Sequence, residues 1–259
     1  MPTGHAVGPT KTRVRDFWEQ RPCGSIHGEG TEGSPGWYEA IERRRNQLEP
    51  FIERFADFSG SRAKDVLEIG VGLGSDLVRF ARAGARVTGI DLTSRSVELV
   101  RRRLALEGLE GDIRVGDAEA LPYPPDSFDI VYSWGVLHHT PATERAVREA
   151  VRVVRPGGRL IIMLYARYSW VGWGLWARHG LLRGRPWRSL GEVIAHHMES
   201  TGTKAFTTAE VRAMLAGTEE LKIERVLTPY DHRVAGPLAR ITGNRLGWFI
   251  VARARAPRR

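Results

Sequence analysis

The segment Val66-Leu67-Glu68-Ile69-Gly70-Val71-Gly72-Leu73-Gly74-Ser75-Asp76 joins an apolar run to alternating glycines and then to a helical pattern. Glycine lets the backbone turn sharply and lets a ligand come nearer than a Cβ would allow. A nucleotide-type pocket follows. The dinucleotide pattern G-x-G-x-x-G starting at Gly70 requires glycine at position 75, where Ser75 stands. The order Glu68-x-Gly70-x-Gly72-x-Gly74 suits a cationic sulfonium ligand with an amino-acid tail better than a pyrophosphate. The next apolar run ends in Val87-Thr88-Gly89-Ile90-Asp91. A carboxylate there can accept ribose hydroxyl hydrogens and repels a 2′-phosphate. After a third run comes Gly116-Asp117-Ala118-Glu119, with Asp117 placed to accept from an adenine amino group. Singly, each acid reads equally well as a surface or capping residue; their order behind the glycine loop favours a site.

Residues for acid-base work lie further on. His138 and His139 follow the fourth apolar run. Either one can take a proton from an acceptor hydroxyl or orient the acceptor; the alternative is that Leu137-His138-His139 only positions loop and helix. His196, His197 and Glu199 offer metal-ligand chemistry, but adjacent histidines do not share a helix face, and no metal is expected. Cys23, the lone cysteine, sits in Arg21-Pro22-Cys23-Gly24, a turn that can lie over the pocket. Tyr230-Asp231-His232 either faces the acceptor or forms a turn. Trp170, Trp173, Trp176 and Trp187 are more than a compact lid needs and can wall an aromatic or apolar acceptor, pack the lid, or touch a membrane.

These residues need a parallel sheet to bring them to one edge. Between Asp65 and Tyr165 short β-branched runs alternate with amphipathic patterns, the signature of repeated β-α units. Strands are expected at 65–69, 86–90, 112–115, 128–134 and 159–165, and helices at 76–83, 94–107 and 142–154. Thr140 and Pro141 fit an N-cap and first helical residue, and Pro156-Gly157-Gly158 fits a helix stop. Around this core, residues 1–12 read as a disordered tail without function, 13–60 as a helical cap, and 61–165 as the ligand-binding core. Residues 166–207 read as a Trp-rich lid, and 208–259 as a helix (208–216) and two strands (221–227 and 248–254) that complete the sheet.

On Glu68 to Gly74, Asp91, Asp117-Ala118-Glu119, Leu121-Pro122-Tyr123, Phe128-Asp129-Ile130-Val131 and Leu137-His138-His139 through Leu160, the chain resembles the class I S-adenosylmethionine-dependent methyltransferases, in particular the small-molecule group with the type 11 core. The resemblance covers about residues 62 to 165. It implies a doubly wound, Rossmann-like α/β fold whose seven-stranded sheet has its last strand antiparallel. It implies S-adenosylmethionine as cofactor, with Gly70 and Gly72 near the methionine moiety, Asp91 at the ribose and Asp117 with Ala118 at the adenine. Glu68, Gly74, Leu92, Glu119 and Trp134 complete the expected cofactor set. The activity implied is methyl transfer by in-line displacement to an O, N or C atom of a small aromatic or apolar metabolite, with His139 or His138 as the catalytic group.

The formal net charge of +9 admits an acidic partner, but the basic residues are scattered over helices and an Arg-rich tail, which reads as a solvated surface. Ser133-Trp134-Gly135-Val136 stands where enzymes that methylate base amino groups carry Asn/Asp-Pro-Pro-aromatic, so nucleic acid is not the expected partner. A small-molecule acceptor is. No Tyr-x-x-x-Lys occurs for a nicotinamide reductase. Use of the same pocket without methyl transfer stays open. The apolar stretch 160–182 is broken by Arg167 and Arg178, so no membrane span is expected. A lone cysteine and a polar start point to a cytoplasmic chain. The oligomeric state is not readable.

Overall fold

The computed structural model describes residues 10–258; residues 1–9 of the expected tail lie outside the described residues. Helix α1 (Lys11–Gln20) begins inside the stretch read as a loose tail, its first turn capped by the Thr10 side chain, which accepts from Arg13 N. That boundary is corrected: Val14, Phe17 and Trp18 fall on one helical stripe, and a threonine stands just before it. Two more helices precede the sheet, α2 (Pro35–Leu48) and α3 (Ile52–Ala56).

The core alternates β1 (Asp65–Ile69), α4 (Ser75–Arg82), β2 (Arg86–Asp91), α5 (Ser94–Leu106), β3 (Gly111–Val115), β4 (Phe128–Trp134), α6 (Thr143–Val153) and β5 (Val154–Tyr165). After it come α7 (Trp170–His179), α8 (Leu190–His197), α9 (Thr208–Met214), β6 (Glu219–Val226), α10 (Pro229–Ala235), α11 (Pro237–Thr242) and β7 (Phe249–Arg255). The seven strands lie in the order β3-β2-β1-β4-β5-β7-β6, with β7 antiparallel to both neighbours. This is the doubly wound sheet with an antiparallel last strand.

Both faces of the sheet are covered, so its central strands read as continuous apolar runs. Ile130, Tyr132 and Trp134 of β4 and Ile161, Met163 and Tyr165 of β5 enter the layer that holds Phe55 and Phe80. The residues between them, Val131, Leu160, Ile162 and Leu164, enter the layer formed with Val147 and Ala150 of α6. Period two thus sends successive side chains into two cores.

Two local readings are corrected. Pro156-Gly157-Gly158 is no helix stop, because β5 already starts at Val154. Gly157, at φ +72°, lets the strand bulge, its N–H donates to Ala256 O, and the register against β4 shifts between Phe128 and Ile130. Helix α6 starts at Thr143 rather than 142, because Thr140 Oγ1 donates back to Leu137 O and the Glu119 carboxylate accepts from Ala142 N at the helix entrance. The two helices α10 and α11 gave no clear periodic signal. Among the described residues no helix is long and apolar enough to cross a membrane.

Candidate active site

A cavity of about 420 Å³ runs along the carboxyl edge of the sheet, from Asp117 after β3 to Tyr165 at the end of β5. Helix α1 and the turn around Cys23 line its other side. One half is built by the glycine loop. Gly70 has φ +80°, and a Cβ there would stand 2.3 Å from the Val136 side chain, so only glycine fits. Gly72, at φ +51°, has nothing near its missing Cβ and leaves open space on the cavity side. Gly74 does not line the cavity: it starts α4 with φ +72° and packs on Val100.

Asp91 ties this loop to β2. One carboxylate oxygen accepts from Thr93 N (3.0 Å) and Thr93 Oγ1 (2.7 Å), the other from Gly72 N (3.0 Å). Burial pushes its carboxyl up, and these hydrogen bonds oppose the push. Glu68 is buried beside it, with Oε2 lacking any hydrogen-bond partner. Burial and the nearby Asp76 hold its carboxyl well above the usual range, Arg45 offsets this in part, and Asp91 adds to it. Asp76, in the first turn of α4, is itself satisfied: Arg45 donates to both its oxygens (3.3 and 2.6 Å) and Tyr132 OH donates at 2.8 Å. With three acids and one guanidinium around the loop, an orphaned carboxylate oxygen calls for a cationic or donating ligand.

Leu92, Asp117, Ala118, Glu119 and Trp134 also line the cavity. Asp117 is not waiting with two free oxygens: Glu119 N donates to one at 2.9 Å and Lys11 Nζ to the other at 2.5 Å. Glu119 is a brace, with one oxygen on Ala142 N and the other 2.7 Å from Lys11 Nζ. The Trp134 indole N–H donates to Glu49 Oε2 at 2.8 Å, and its ring stacks on Tyr132.

The other half is lined by Phe17, Trp18, Cys23, Glu49, His139, Tyr165, Glu199 and Tyr230. His139 Nδ1 lies 2.8 Å from Ser200 Oγ and 3.0 Å from Thr203 Oγ1, Nε2 lies 3.9 Å from Glu199 Oε2, and the Trp18 ring meets the imidazole edge-on. Burial drives the imidazole down to about 3, so it is neutral at physiological pH. His138 is corrected as a catalytic candidate. It is fully buried outside the cavity lining, 3.8 Å from the Tyr165 ring centroid, because neighbouring residues of the short 3₁₀ turn Leu137–His139 point to different sides.

Other expectations divide. Tyr230 faces the cavity, while Asp231 caps the start of α10 and His232 is exposed. Glu199 faces the cavity, while His197 stacks on His179 and His196 Nδ1 sits on Glu192 O. Cys23 is exposed and lines the cavity, where its surroundings and the Glu199 carboxylate push the thiol up and disfavour the reactive thiolate. The tryptophan wall is corrected: Trp170 N–H bonds Thr242, Trp176 N–H bonds Arg188 O, Trp173 and Trp187 are exposed, and none of the four lines the cavity. The aromatic wall comes instead from Phe17, Trp18, Tyr165 and Tyr230.

Lys11, Arg45, Glu49, Ser200 and Thr203 were not singled out from the sequence. Lys11 carried a usable signal, Thr10 ahead of a helical stripe. Arg45 sits among Arg43 and Arg44 in a run that looks solvated, and nothing local marks Ser200 or Thr203 as partners of a histidine about sixty residues away.

The family model of a methyltransferase domain matches residues 67–162. The 27-O-demethylrifamycin SV methyltransferase of Amycolatopsis mediterranei is 39% identical over 166 residues, 62% of this chain and 58% of that protein. Methyltransferase GfsG of Streptomyces halstedii is 39% identical over 127 residues, 48% of this chain and 44% of that protein. The chain thus spans about half the length of these curated relatives. Among solved structures, the [4+2]-cyclase SpnF superposes over 100% of both chains with a TM-score of 0.63 at 20% identity, a likeness of fold. Residues 67–162 thus match a methyltransferase domain, and the sheet order and glycine loop around them are those of the class I S-adenosylmethionine-dependent methyltransferase fold.

Proposed function

We propose that this chain methylates a hydroxyl oxygen of a small aromatic or apolar metabolite, and that His139 takes the hydroxyl proton. In the cofactor half, Gly70 and Gly72 give the close approach that S-adenosylmethionine needs, and Glu68 Oε2 offers an unpaired buried acceptor for its positive charge. Asp91 and Leu92 would hold the ribose, Asp117 and Ala118 the adenine, and Trp134 the wall between the two halves. When bound, the cofactor supplies a methyl group already activated by the sulfonium. What remains for the protein is to orient the acceptor, exclude water and receive a proton.

The observation that carries the oxygen reading is the anchoring of His139. The Thr203 hydroxyl donates its proton to Ser200 O at 2.6 Å, so towards Nδ1, 3.0 Å away, its oxygen can only accept. Ser200 Oγ, 2.8 Å from Nδ1, accepts as well when its own hydrogen turns to Thr203 Oγ1 at 3.3 Å; in that tautomer Nδ1 carries the hydrogen, and the lone pair of Nε2 is directed to the cavity side, near Glu199. A neutral imidazole there can accept a hydroxyl proton, and the Glu199 carboxylate would steady the imidazolium formed. An amine with a free lone pair has less need of this arrangement.

His139→Ala should leave S-adenosylmethionine affinity unchanged by calorimetry and cut turnover on aromatic and apolar alcohols by roughly 10² to 10⁴, read as S-adenosylhomocysteine release. Undiminished turnover would remove the base role.

A further inference from the structure

No acidic residue occurs between Glu149 and Glu192, yet the last turn of α7 holds Arg178 and the turn between α7 and α8 holds Arg183, Arg185 and Arg188. Among the described residues none of these guanidiniums has a carboxylate partner, whereas most arginines of the core are paired. Between them, Leu181, Leu182 and Trp187 are 51%, 80% and 77% exposed. The exposure is built rather than accidental. Gly180 N donates to Trp176 O, Arg183 N and Arg185 N to Gly180 O, Gly184 N to Leu181 O, and the Trp176 indole N–H to Arg188 O. The turn therefore spends its backbone donors on itself and presents its apolar side chains outwards.

We propose that this turn is a docking surface for an anionic lipid bilayer. A segment whose side chains reach the acyl boundary loses less on leaving water when its backbone polar groups are already paired, and here they largely are. Leu181 and Leu182 would enter the acyl boundary, Trp187 would lie at headgroup level, and Arg183 and Arg185 would meet lipid phosphates. Guanidiniums that make no ion pair among the described residues complement a negative surface. Nucleic acid would engage the arginines and Trp187 but would leave two leucines in water. The turn leads through α8 into Glu199–Thr203, the segment that holds His139, so docking would set the acceptor half of the cavity close to a pool of membrane-dissolved molecules. The inference does not depend on methyl transfer, because vesicle binding is read without turnover.

The test is co-sedimentation of the full chain with vesicles of phosphatidylcholine alone and with about a third phosphatidylglycerol. Binding to the anionic vesicles is expected, weakened by salt, with R183Q/R185Q and L182S/W187S each lowering affinity about tenfold or more. Leu106→Ser, which changes an exposed leucine at the far end of α5, should bind as the parent does. All five side chains changed are exposed, and far-ultraviolet circular dichroism is the check that each variant folds. Absence of binding, or binding that neither double variant alters, overturns the proposal. So does a dimer in sedimentation that L182S/W187S dissolves without lipid, or oligonucleotide binding lost in R183Q/R185Q while vesicles are ignored.

Discussion

At the glycine-loop end of the cavity, Glu68, Gly70, Gly72 and Asp91 come from two neighbouring strand ends, and backbone N–H groups do much of the holding. At the His139 end, the lining is gathered from α1, the Cys23 turn, the end of α2, the end of β5, the segment after α8 and the start of α10. The first end follows from a local turn that one stretch of sequence can enforce. The second exists only when segments far apart in the chain have packed. A binding site that every relative needs can be written as a motif, whereas one that differs among relatives is assembled from what the fold leaves nearby.

Arg45 and Asp76 are the joint between the two ends, and the largest effect is expected there. Asp76→Asn removes the charge that satisfies a part-buried guanidinium and weakens the Tyr132 hydrogen bond, at a cost of roughly 3 to 5 kcal/mol in chemical unfolding. If the loss is under ~1 kcal/mol, the ends are independent. Gly70→Ala probes the loop itself: a positive φ and a collision with Val136 should cost roughly 2 to 3 kcal/mol and abolish cofactor binding in calorimetry. Normal binding by that variant would mean that the turn tolerates a Cβ.

The other end has a titration of its own. His139 is held at about 3 when folded, against an ordinary 6.5, so the unfolded chain binds this proton first as pH falls. Its share of stability is complete above pH 6.5 and is lost between 6.5 and 3, amounting to roughly 2 kcal/mol by about pH 5. His139→Gln should flatten the fall of unfolding free energy over this range; an unchanged slope would mean that the imidazole is not held in a dry site. The smallest effect is expected at Lys11, whose pair with Asp117 is partly exposed. Lys11→Met should lower stability by less than ~1 kcal/mol, and thermal melting with and without S-adenosylmethionine would show whether Asp117 then binds the cofactor better.

The sequence by itself determined the doubly wound sheet, its strands and the glycine turn, because these rest on periodicity and on local backbone geometry. A period of two with both faces apolar demands two cores, and only glycine accepts the φ at Gly70. It also singled out His139 without saying which nitrogen would face the cavity, and it left His138 as an equal. Only the tertiary structure decided that His138 is buried in the core, that Glu119 is a brace, that Ser200 and Thr203 hold His139, and that the tryptophans of α7 lie outside the cavity. Those outcomes depend on which side a side chain leaves a short turn and on contacts between residues far apart in sequence, and neither is encoded in any local pattern.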